Sequence, residues 1–287
     1  MKIIDKKELI RKDPLRITQL RIIAPLIAQK ARPGQFVVVI PTATGERIPL
    51  TIVESDKETG TITLIFQHAG YSTGKLGELG IGETVFSLAG PLGTPTQIKK
   101  FGRILIIGGG VGIAEVYPVT RALKHIGNQI TTIIGARSQD LFILRKELQG
   151  LSDEFFATTD DGSTGEKGLV TDVLLRLLEK NHNNTPYHLA YAVGPVAMMK
   201  KVTEITERYS LKTIVSLNAL MVDATGMCGC CRVTVDKETK FACIDGPEFD
   251  AHLVDWDELF QRSKMYEKKE KHICNLQRIA DSGKRIE

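Results

Sequence analysis

The run RILIIGGGVG at residues 103–112 sets the strongest limit on the fold of this chain. A continuous apolar stretch that ends in consecutive glycines and precedes a helical pattern is typical of a buried parallel strand that turns into a helix. In such a turn the backbone N–H groups can approach the pyrophosphate of a dinucleotide. A tight turn without a ligand is the alternative. We therefore predict an α/β region with a nucleotide site at Gly108, Gly109, Gly110 and Gly112.

Further strand and helix patterns follow as far as residue 216. The segments TTIIGARS, EFFATTDD, HLAYAVGP and LKTIVSL predict strands, and the stretches between them predict helices around 113–125, 143–149, 171–181 and 197–210. Alternating strands and helices indicate a parallel sheet that is covered on both faces.

Two loops in this region follow predicted strands, where open α/β sheets bind ligands. They contain the candidate site residues Asp160, Asp161, Gly162, Gly194 and Pro195. The dinucleotide fingerprint is incomplete, because the second strand ends in Gly135-Ala136-Arg137-Ser138 and not in an acidic residue. We expect the Asp and Gly residues to line a site and not to act as catalysts.

The first 98 residues have a different pattern. Short apolar runs such as GQFVVVIP, GTITLIFQ and ETVFSLAGP are separated by Gly and Pro, and no long amphipathic helix precedes Gly102. This pattern predicts antiparallel strands in a small barrel or sandwich. The 287 residues suffice for two domain cores. We predict a mixed fold, with an antiparallel β-barrel domain over 1–98 and an α/β parallel-sheet nucleotide-binding domain over 99–216.

Four of the five cysteines lie between Cys228 and Cys243, in a Gly-rich segment over 217–254 that has little room for a core. The spacing matches the C-x4-C-x2-C pattern of plant-type ferredoxins if Asp223 takes the first position. We therefore predict a 2Fe-2S cluster held by Asp223, Cys228, Cys231 and Cys243. Two alternatives stay open: Cys230 replaces Cys228 or Cys231 as a ligand, or the same segment holds a structural zinc ion.

Other residues of the cysteine segment suit the cluster interpretation. Gly226 and Gly229 fit a loop that wraps closely around a cluster, because glycine permits positive φ and leaves N–H groups free to face the sulfides. Since Cys230 lies between two proposed ligands, we expect its side chain to point away from the cluster. Cys274 lies in a polar, charged helix or tail predicted over 255–287, and we expect an uninvolved thiol there.

Composition and charge argue against several other classes of protein. Apolar residues make up 42% and charged residues 25%, which is ordinary for a globular protein. The net charge of +4 is spread along the chain, so a nucleic-acid surface has little support. No apolar stretch is long enough to cross a bilayer, and the first residues lack the apolar region of a signal peptide. We expect a cytoplasmic protein that binds neither nucleic acid nor membrane.

With a barrel, a Gly-rich α/β region and a cysteine segment in this order, nearly the whole chain resembles the ferredoxin-NADP reductase superfamily. More narrowly, it is similar to the family of small (alpha) subunits of NADH-dependent reduced ferredoxin:NADP oxidoreductases. The motifs that carry the resemblance are Arg47-Ile-Pro-Leu-Thr51, Gly70-Tyr-Ser-Thr73, GGGVGIA from Gly108, DDGSTGEKG from Asp160, GPVAMMK from Gly194 and MVDATGMCG from Met221. The last is the most specific, because related dihydroorotate dehydrogenase electron-transfer subunits use four cysteines.

The resemblance implies FAD, a 2Fe-2S cluster and NAD(H) as cofactors. Arg47 is expected to pair with the FAD pyrophosphate, a role suited to its planar charged group. Leu50 and Thr51 are expected along the isoalloxazine ring, with Thr51 near N5, and Ser72 and Thr73 at the FAD phosphate. The other expected cofactor-binding residues are Pro49, Gln67, Gly70, Ala136, Arg137 and Met198. No catalytic acid or base is expected, because hydride transfer needs none.

Two positions depart from the pattern of the superfamily. Tyr71 stands where relatives often have lysine, and Glu115 follows Ala114 where many reductases have proline. Arg145 and Lys146 stand where relatives that use NADH tend to be acidic. Positive charge there favours a 2′-phosphate, so NADP(H) stays open as the nicotinamide.

The resemblance also implies a partner, a larger flavin and iron–sulfur subunit. Together the two subunits are expected to perform flavin-based electron bifurcation between NAD(H), NADP(H) and ferredoxin, which takes part indirectly. The tail with Trp256 and the KKEKH run either docks on that partner or is a solvated helix. Two other functions remain: the electron-transfer subunit of dihydroorotate dehydrogenase, opposed by Asp223, and a zinc-stabilised nucleotide-binding regulator.

Overall fold

The computed structural model describes residues 1–181 and 186–281. The strands form an antiparallel sheet of six strands, a mixed sheet of seven strands and a hairpin of two strands. Helices flank the seven-stranded sheet and form the end of the described chain. The structure confirms the predicted mixed fold of a β-barrel, an α/β region and a C-terminal helical part.

The N-terminal sheet has the strand order β1-β2-β5-β4-β3-β6. Its elements are β1 (Ile3–Lys12), β2 (Leu15–Ile23), α1 (Pro25–Lys30), β3 (Phe36–Ile40), β4 (Ile48–Asp56), β5 (Thr61–Gln67), α2 (Tyr71–Glu78) and β6 (Ser87–Leu92). The segment before β6 returns to the start of β1, where the Ile3 N–H donates to the Glu83 carbonyl over 2.8 Å. This contact closes the sheet into a barrel around buried Leu20, Leu64 and Phe66.

The α/β region contains six parallel strands and four helices. They are β7 (Arg103–Gly109), α3 (Gly112–His125), β8 (Gln129–Ala136), α4 (Arg145–Leu151), β9 (Glu154–Thr159), β10 (Glu166–Lys167), α5 (Val170–Asn181), β11 (Leu189–Val193), α6 (Val196–Arg208) and β12 (Thr213–Ser216). β7 lies in the middle of the sheet and is buried on both faces. Ile104 and Ile106 pack in one core cluster, and Leu105 and Ile107 pack in the other. The predicted helices agree with these bounds to within two residues.

The cysteine segment contributes to the same sheet, which the sequence did not indicate. It contains the hairpin β13 (Arg232–Val235) and β14 (Glu238–Phe241), followed by β15 (Glu248–Asp250). β15 pairs antiparallel with β12, with Phe249 opposite Val215. Its apolar side chains share one core cluster with the α/β region. The segment thus has little core of its own, as expected. We propose that the boundary at residue 216 divides two functional regions that share one core.

The tail forms two helices where one was expected, α7 (Trp256–Ser263) and α8 (Glu267–Asp281). Residues 282–287 of the predicted tail lie outside the described residues. Asp255 caps α7, because its carboxylate accepts from the N–H groups of Asp257 and Glu258 at 3.1 and 2.9 Å. Trp256 is buried and donates from Nε1 to the Ala251 carbonyl at 3.1 Å. Trp256 therefore belongs to the core of this chain.

None of the helices over residues 1–181 and 186–281 is long and apolar enough to cross a membrane.

Candidate functional site

A cavity of about 670 Å³ opens at the carboxyl ends of β7, β8, β9 and β11. Strands of a parallel sheet all end at the same edge, so loops that are distant in sequence meet there. The predicted residues that line this cavity are Gln67, Gly109, Gly110, Gly112, Ala136, Arg137, Asp160, Gly194, Pro195 and Met198. The structure thus brings together most of the predicted nicotinamide-binding residues.

Each glycine of the β7–α3 turn is required for a different structural reason. Gly110 has φ +57°, a conformation that side chains rarely adopt. A Cβ on Gly112 would lie 2.6 Å from the Val193 carbonyl oxygen, so the helix can approach β11 only without a side chain. Gly108 lies outside the cavity lining, and a Cβ there would meet Val116 of α3 at 3.2 Å. Gly108 therefore serves the packing of α3 on the sheet.

Three of the other predicted nicotinamide residues stand apart from the cavity lining. Asp161 accepts at 2.9 Å from the Ser163 N–H, and its hydrogen bonds with Ser163 lower the pKa of the Asp161 carboxyl. Asp161 and Gly162 thus form a turn that follows Asp160 in the sequence and lies outside the cavity lining. Arg145 donates to the Thr164 hydroxyl at 3.2 Å and does not line the cavity. Arg137 and Lys201 are the basic residues among its lining.

A second cavity, of about 910 Å³, lies between the barrel, the cysteine segment and α8. Of the predicted FAD-binding residues, it is lined by Arg47, Pro49, Gly70, Ser72 and Thr73. Leu50 packs against the barrel core, and Thr51 hydrogen-bonds with Glu115. The predicted FAD-binding residues are therefore divided between the two cavities and the strand β4, which runs from one cavity toward the other.

Two hydroxyl groups that line the second cavity, those of Ser72 and Thr73, are engaged within the protein. Ser72 donates to a Glu46 carboxylate oxygen at 2.7 Å. The Thr73 hydroxyl accepts from the N–H groups of Ala69 and Gly70 at 2.9 and 3.0 Å and so caps α2. The groups that can attract an anion here are the N-terminus of α2, the Arg47 guanidinium and the Lys269 ammonium group. Ser72 must turn away from Glu46 before it can bind a phosphate.

The hairpin β13–β14 explains how two of the cysteines meet. Asp236 and Lys237 both have positive φ, +52° and +63°, as in a tight two-residue turn. The register places Arg232 opposite Phe241, and the Ala242 N–H donates to the Cys231 carbonyl at 3.1 Å. Cys231 and Cys243 therefore lie side by side, with their sulfur atoms 3.2 Å apart. Both are buried, and burial raises the pKa of Cys243 to about 12.

Asp223 and Cys228 form a second pair. The Asp223 carboxylate accepts from the N–H groups of Thr225 and Cys228 at 2.9 and 3.1 Å. The Thr225 N–H first, and then the Cys228 thiol, lower the pKa of this carboxyl. Gly226 and Gly229 have φ +82° and +67°, as expected for a closely wrapped loop. Within the described ranges no group of three or more His, Cys, Asp or Glu side chains is placed to hold one metal ion.

Cys230 does not turn away from its neighbours. Its N–H donates to the Cys228 sulfur at 3.5 Å, and its thiol hydrogen-bonds with the Cys228 thiol. Burial first, and then this contact, raise the pKa of Cys230. That the side chain points away from the proposed cluster stays a prediction. The backbone here is fixed by Arg262 of α7, which donates to the Cys230 carbonyl at 3.0 Å.

Sequence reasoning missed two contributions to these cavities. Glu115 lines the smaller cavity and hydrogen-bonds with Thr51, and burial raises its pKa from 4.5 to about 7. Tyr266 and the α8 residues Lys269, Ile273 and Cys274 supply one wall of the larger cavity. The available signals were an acidic residue among the apolar residues that begin α3, and the apolar residues on an otherwise charged tail. Cys274 thus lines the larger cavity, and an uninvolved thiol at this position stays a prediction.

Two family models match this chain. Residues 106–204 match the oxidoreductase NAD-binding domain, and residues 218–255 match the iron–sulfur cluster binding domain of dihydroorotate dehydrogenase B. A protein of Thermotoga maritima, described as a homolog of the electron transfer subunit of dihydroorotate dehydrogenase B (NAD(+)), is 45% identical over 248 residues. The alignment covers 86% of each protein.

Solved structures are also similar. That of an NADH-dependent reduced ferredoxin-NADP oxidoreductase, described as giving insight into flavin-based electron bifurcation, has a TM-score of 0.88 and 41% identity. The match covers 97% of each chain. A ferredoxin-NADP+ reductase from Plasmodium falciparum has a TM-score of 0.59 and 19% identity, over 72% of this chain and 91% of that one, and so shares the fold alone.

Proposed function

Because this chain belongs to the family of the electron-transfer subunits of dihydroorotate dehydrogenase B and their homologues, we propose that it passes electrons from NADH through FAD to a 2Fe-2S cluster. It is an oxidoreductase subunit with an NAD-binding region and an iron–sulfur-binding region. The cofactor FAD, the cluster type and the roles of individual residues are the parts of this proposal that go beyond the family.

The observation that carries the proposal is that Arg47 and Asp223 line the same cavity. A cavity of about 910 Å³ is in the size range of cofactor sites. It lies directly against the loop with the proposed cluster ligands, and β4 leads from it to the nicotinamide cavity. The three sites are therefore adjacent in the order in which electrons would pass.

We assign the FAD pyrophosphate to Arg47 and to the N-terminal turn of α2 with Gly70, Ser72 and Thr73. Both the cation and the exposed N–H groups of a helix start favour bound phosphate. The ring would lie along Pro49, Leu50 and Thr51, toward Gln67 of the smaller cavity. When bound, FAD supplies the conversion of a hydride into single electrons, and the protein supplies placement and electrostatics.

The cluster ligands proposed are the pairs Asp223 with Cys228 and Cys231 with Cys243. A two-iron cluster takes two protein ligands on each iron, which fits donors that come in pairs. A structural zinc ion needs four donors around one centre. The pairing therefore supports the cluster over the zinc-stabilised regulator.

For the nicotinamide we assign Gly109, Gly110 and Gly112 to the pyrophosphate, with Ala136, Arg137, Asp160, Gly194, Pro195 and Met198 around the rest of the molecule. NADH is the proposed donor, in line with the NADH dependence stated for the similar solved structure. NADPH is the alternative, supported by Arg137 and Lys201 in the cavity lining.

The proposed partner is a larger flavin and iron–sulfur subunit, with which this chain would couple NAD(H), NADP(H) and ferredoxin. The whole-length similarity to the NADH-dependent reduced ferredoxin-NADP oxidoreductase supports this choice. The second candidate is a dihydroorotate dehydrogenase complex, favoured by the family model at residues 218–255. A purified complex that reduces NADP+ with NADH and reduced ferredoxin supports the first, and one that oxidises dihydroorotate supports the second.

Chemical analysis of the purified chain tests the cofactors themselves. We expect flavin, iron and acid-labile sulfide, with two iron atoms and one FAD per chain, and the absorbance of both centres. A colourless protein that contains zinc would overturn the proposal and support the nucleotide-binding regulator.

A further inference from the structure

Glu115 is a carboxyl group in the nicotinamide cavity to which the proposed electron path gives no role. It lies in the first turn of α3, three residues after Gly112 of the glycine turn, and it is half-buried. Its side chain lines the cavity and hydrogen-bonds with Thr51 of β4. The contact joins the barrel to the α/β region at the point where the two proposed cofactors would meet.

The groups around Glu115 favour a carboxyl that exchanges a proton near neutral pH. Removal from water raises the pKa of Glu115 to about 7, and the Thr51 hydrogen bond opposes this only in part. On the interior side, Tyr191 of β11 is fully buried, and burial first, then the Glu248 and Glu115 carboxyls, raise its pKa. Tyr191 stays neutral and donates to Glu248 of β15 at 2.7 Å.

Other hydroxyl and charged groups face this site from the remaining elements. Glu248 also accepts from the Thr96 hydroxyl, and burial raises the pKa of Glu248. Arg137, Asp160 and Lys201 line the same cavity. Burial and the Thr51 hydrogen bond are nevertheless the two causes that set the pKa of Glu115.

The proposed function requires a proton acceptor in this cavity. Oxidation of NADH breaks one C–H bond and yields NAD+, two electrons and one proton. An iron–sulfur centre takes the electrons singly and takes no proton. The proton that arrived with the hydride is therefore left at the site when the electrons leave, and a nearby base must remove it.

We propose that Glu115 accepts this proton and that the Thr51 hydroxyl relays it. With FAD bound, Thr51 would take the proton from the flavin and give its own hydroxyl proton to the Glu115 carboxylate, so that no charge would be left on Thr51. Glu115 then releases the proton to water through the open cavity. The inference rests on the proposed function and adds to it a group that electron release needs and hydride transfer does not.

The test compares the wild-type holoprotein with E115Q, E115D and the control E54Q. Glu54 lies on the same strand as Thr51 and pairs with Arg121 of α3 at 3.0 Å, outside the nicotinamide cavity. Anaerobic stopped-flow spectroscopy follows two phases separately: reduction of the flavin by NADH, and electron release to ferricyanide. Infrared spectra of the protein without nucleotide, recorded between pH 5 and 9, follow the protonated carboxyl band.

We expect E115Q to be reduced by NADH within about twofold of the wild-type rate and to release electrons at least tenfold more slowly at pH 8. The wild-type release rate should rise with pH through about 7, because the carboxylate is the acceptor. That rise should be absent in E115Q, unchanged in E54Q and partly restored in E115D. The infrared band that titrates near pH 7 should be lost in E115Q alone.

Three results would overturn the inference. Release rates in E115Q that equal those of the wild type would show that Glu115 takes no proton. Equal slowing of both phases would indicate a structural role. An infrared titration that E115Q leaves intact would place the proton elsewhere. A wild-type protein that NADH does not reduce at all would instead contradict the proposed function itself.

Discussion

Arg47 donates a hydrogen bond of 3.0 Å from Nη1 to the backbone carbonyl of Asp223, 176 residues further along the chain. The contact joins the barrel wall of the larger cavity to the first proposed ligand of the cluster. A change at one centre can therefore reach the other through a single side chain. This gives Arg47 a second role, beyond the attraction of phosphate that its charge implies.

Replacement of Arg47 by alanine should affect both proposed centres. We expect FAD affinity to fall at least tenfold, about 1.4 kcal/mol, because a charge-assisted contact with the pyrophosphate is lost. The electron paramagnetic resonance spectrum of the reduced cluster should also change, since the Asp223 loop loses its anchor. Fluorescence titration of FAD and the resonance spectrum measure the two effects. R21A, on the barrel surface, is the control, and a normal cluster spectrum in R47A would contradict the coupling.

Asp223→Cys should lower the reduction potential of the cluster. A carboxylate donates less electron density to iron than a thiolate, so its replacement by a thiolate stabilises the oxidised cluster. The measurement is a redox titration followed by absorbance and electron paramagnetic resonance. The control is D236N, which removes a carboxylate from the turn of the β13–β14 hairpin and not from the proposed cluster loop. An unchanged spectrum and potential in D223C would show that aspartate is not a ligand.

The four clustered cysteines, Cys228, Cys230, Cys231 and Cys243, should differ in how much the bound iron depends on them. Cys230→Ala should keep its full iron content, because the proposed ligand pairs are Cys231 with Cys243 and Cys228 with Asp223, whose side chains are in contact. Cys243→Ala should lose most of its iron. Iron and sulfide analysis of these two purified variants and of C228A measures the difference. Loss of the cluster in C230A with retention in C228A would make Cys230 the ligand.

The stability of the cofactor-free protein should depend on pH through Glu115. Its pKa is raised from 4.5 to about 7 in the folded state, so the folded protein binds the proton more tightly than the unfolded chain. The free energy of unfolding should therefore fall between pH 4.5 and 7, by about 2 kcal/mol for a partly exposed group. Urea unfolding of wild type and E115Q at pH 5 and pH 8 measures this.

E115Q should lack that fall, so it should gain stability relative to wild type at pH 8 but not at pH 5. E54Q should follow the wild type at both values, since Glu54 is a surface ion-pair partner. Parallel pH dependences of wild type and E115Q would show that Glu115 titrates normally in the folded protein.

Removal of residues 267–287 should weaken FAD binding. Helix α8 supplies Lys269, Ile273 and Cys274 to the wall of the larger cavity, whereas α7 packs in the core through Trp256 and Leu259. The shortened chain should therefore fold and hold its cluster while it loses FAD on gel filtration. Undiminished FAD content would show that α8 serves another purpose. Co-purification of the shortened chain with the intact larger subunit would reject the tail as a docking element.

Much of the fold could be predicted because it depends on local patterns. The β7 run RILIIGGG identified the sheet, and its glycines located the nucleotide cavity. The hairpin β13–β14 was missed because its turn, Asp236-Lys237, lacks the glycine that usually marks positive φ. β15 was missed because a strand of three residues has no periodicity of its own and is defined by its pairing with β12.

Part of the candidate site could also be predicted, because it too depends on local sequence patterns. Cys231 and Cys243 follow from spacing, and so do the residues of the Gly-rich loops. The raised pKa of Glu115 and its hydrogen bond with Thr51 depend on the packing of β4 on α3, which no local sequence pattern predicts. The engagement of Ser72 by Glu46 and of Cys230 by Cys228 likewise depends on side-chain positions that spacing does not fix.

The central claim is that electrons pass from NADH through FAD to a cluster with Asp223 as a ligand. Anaerobic titration with NADH, and then with NADPH, tests it most directly, with flavin and cluster absorbance followed separately. We predict that NADH bleaches the flavin and reduces the cluster, and that a D223C variant keeps the flavin response with a shifted cluster response. A wild-type protein whose flavin or cluster does not respond to either nicotinamide would contradict the account.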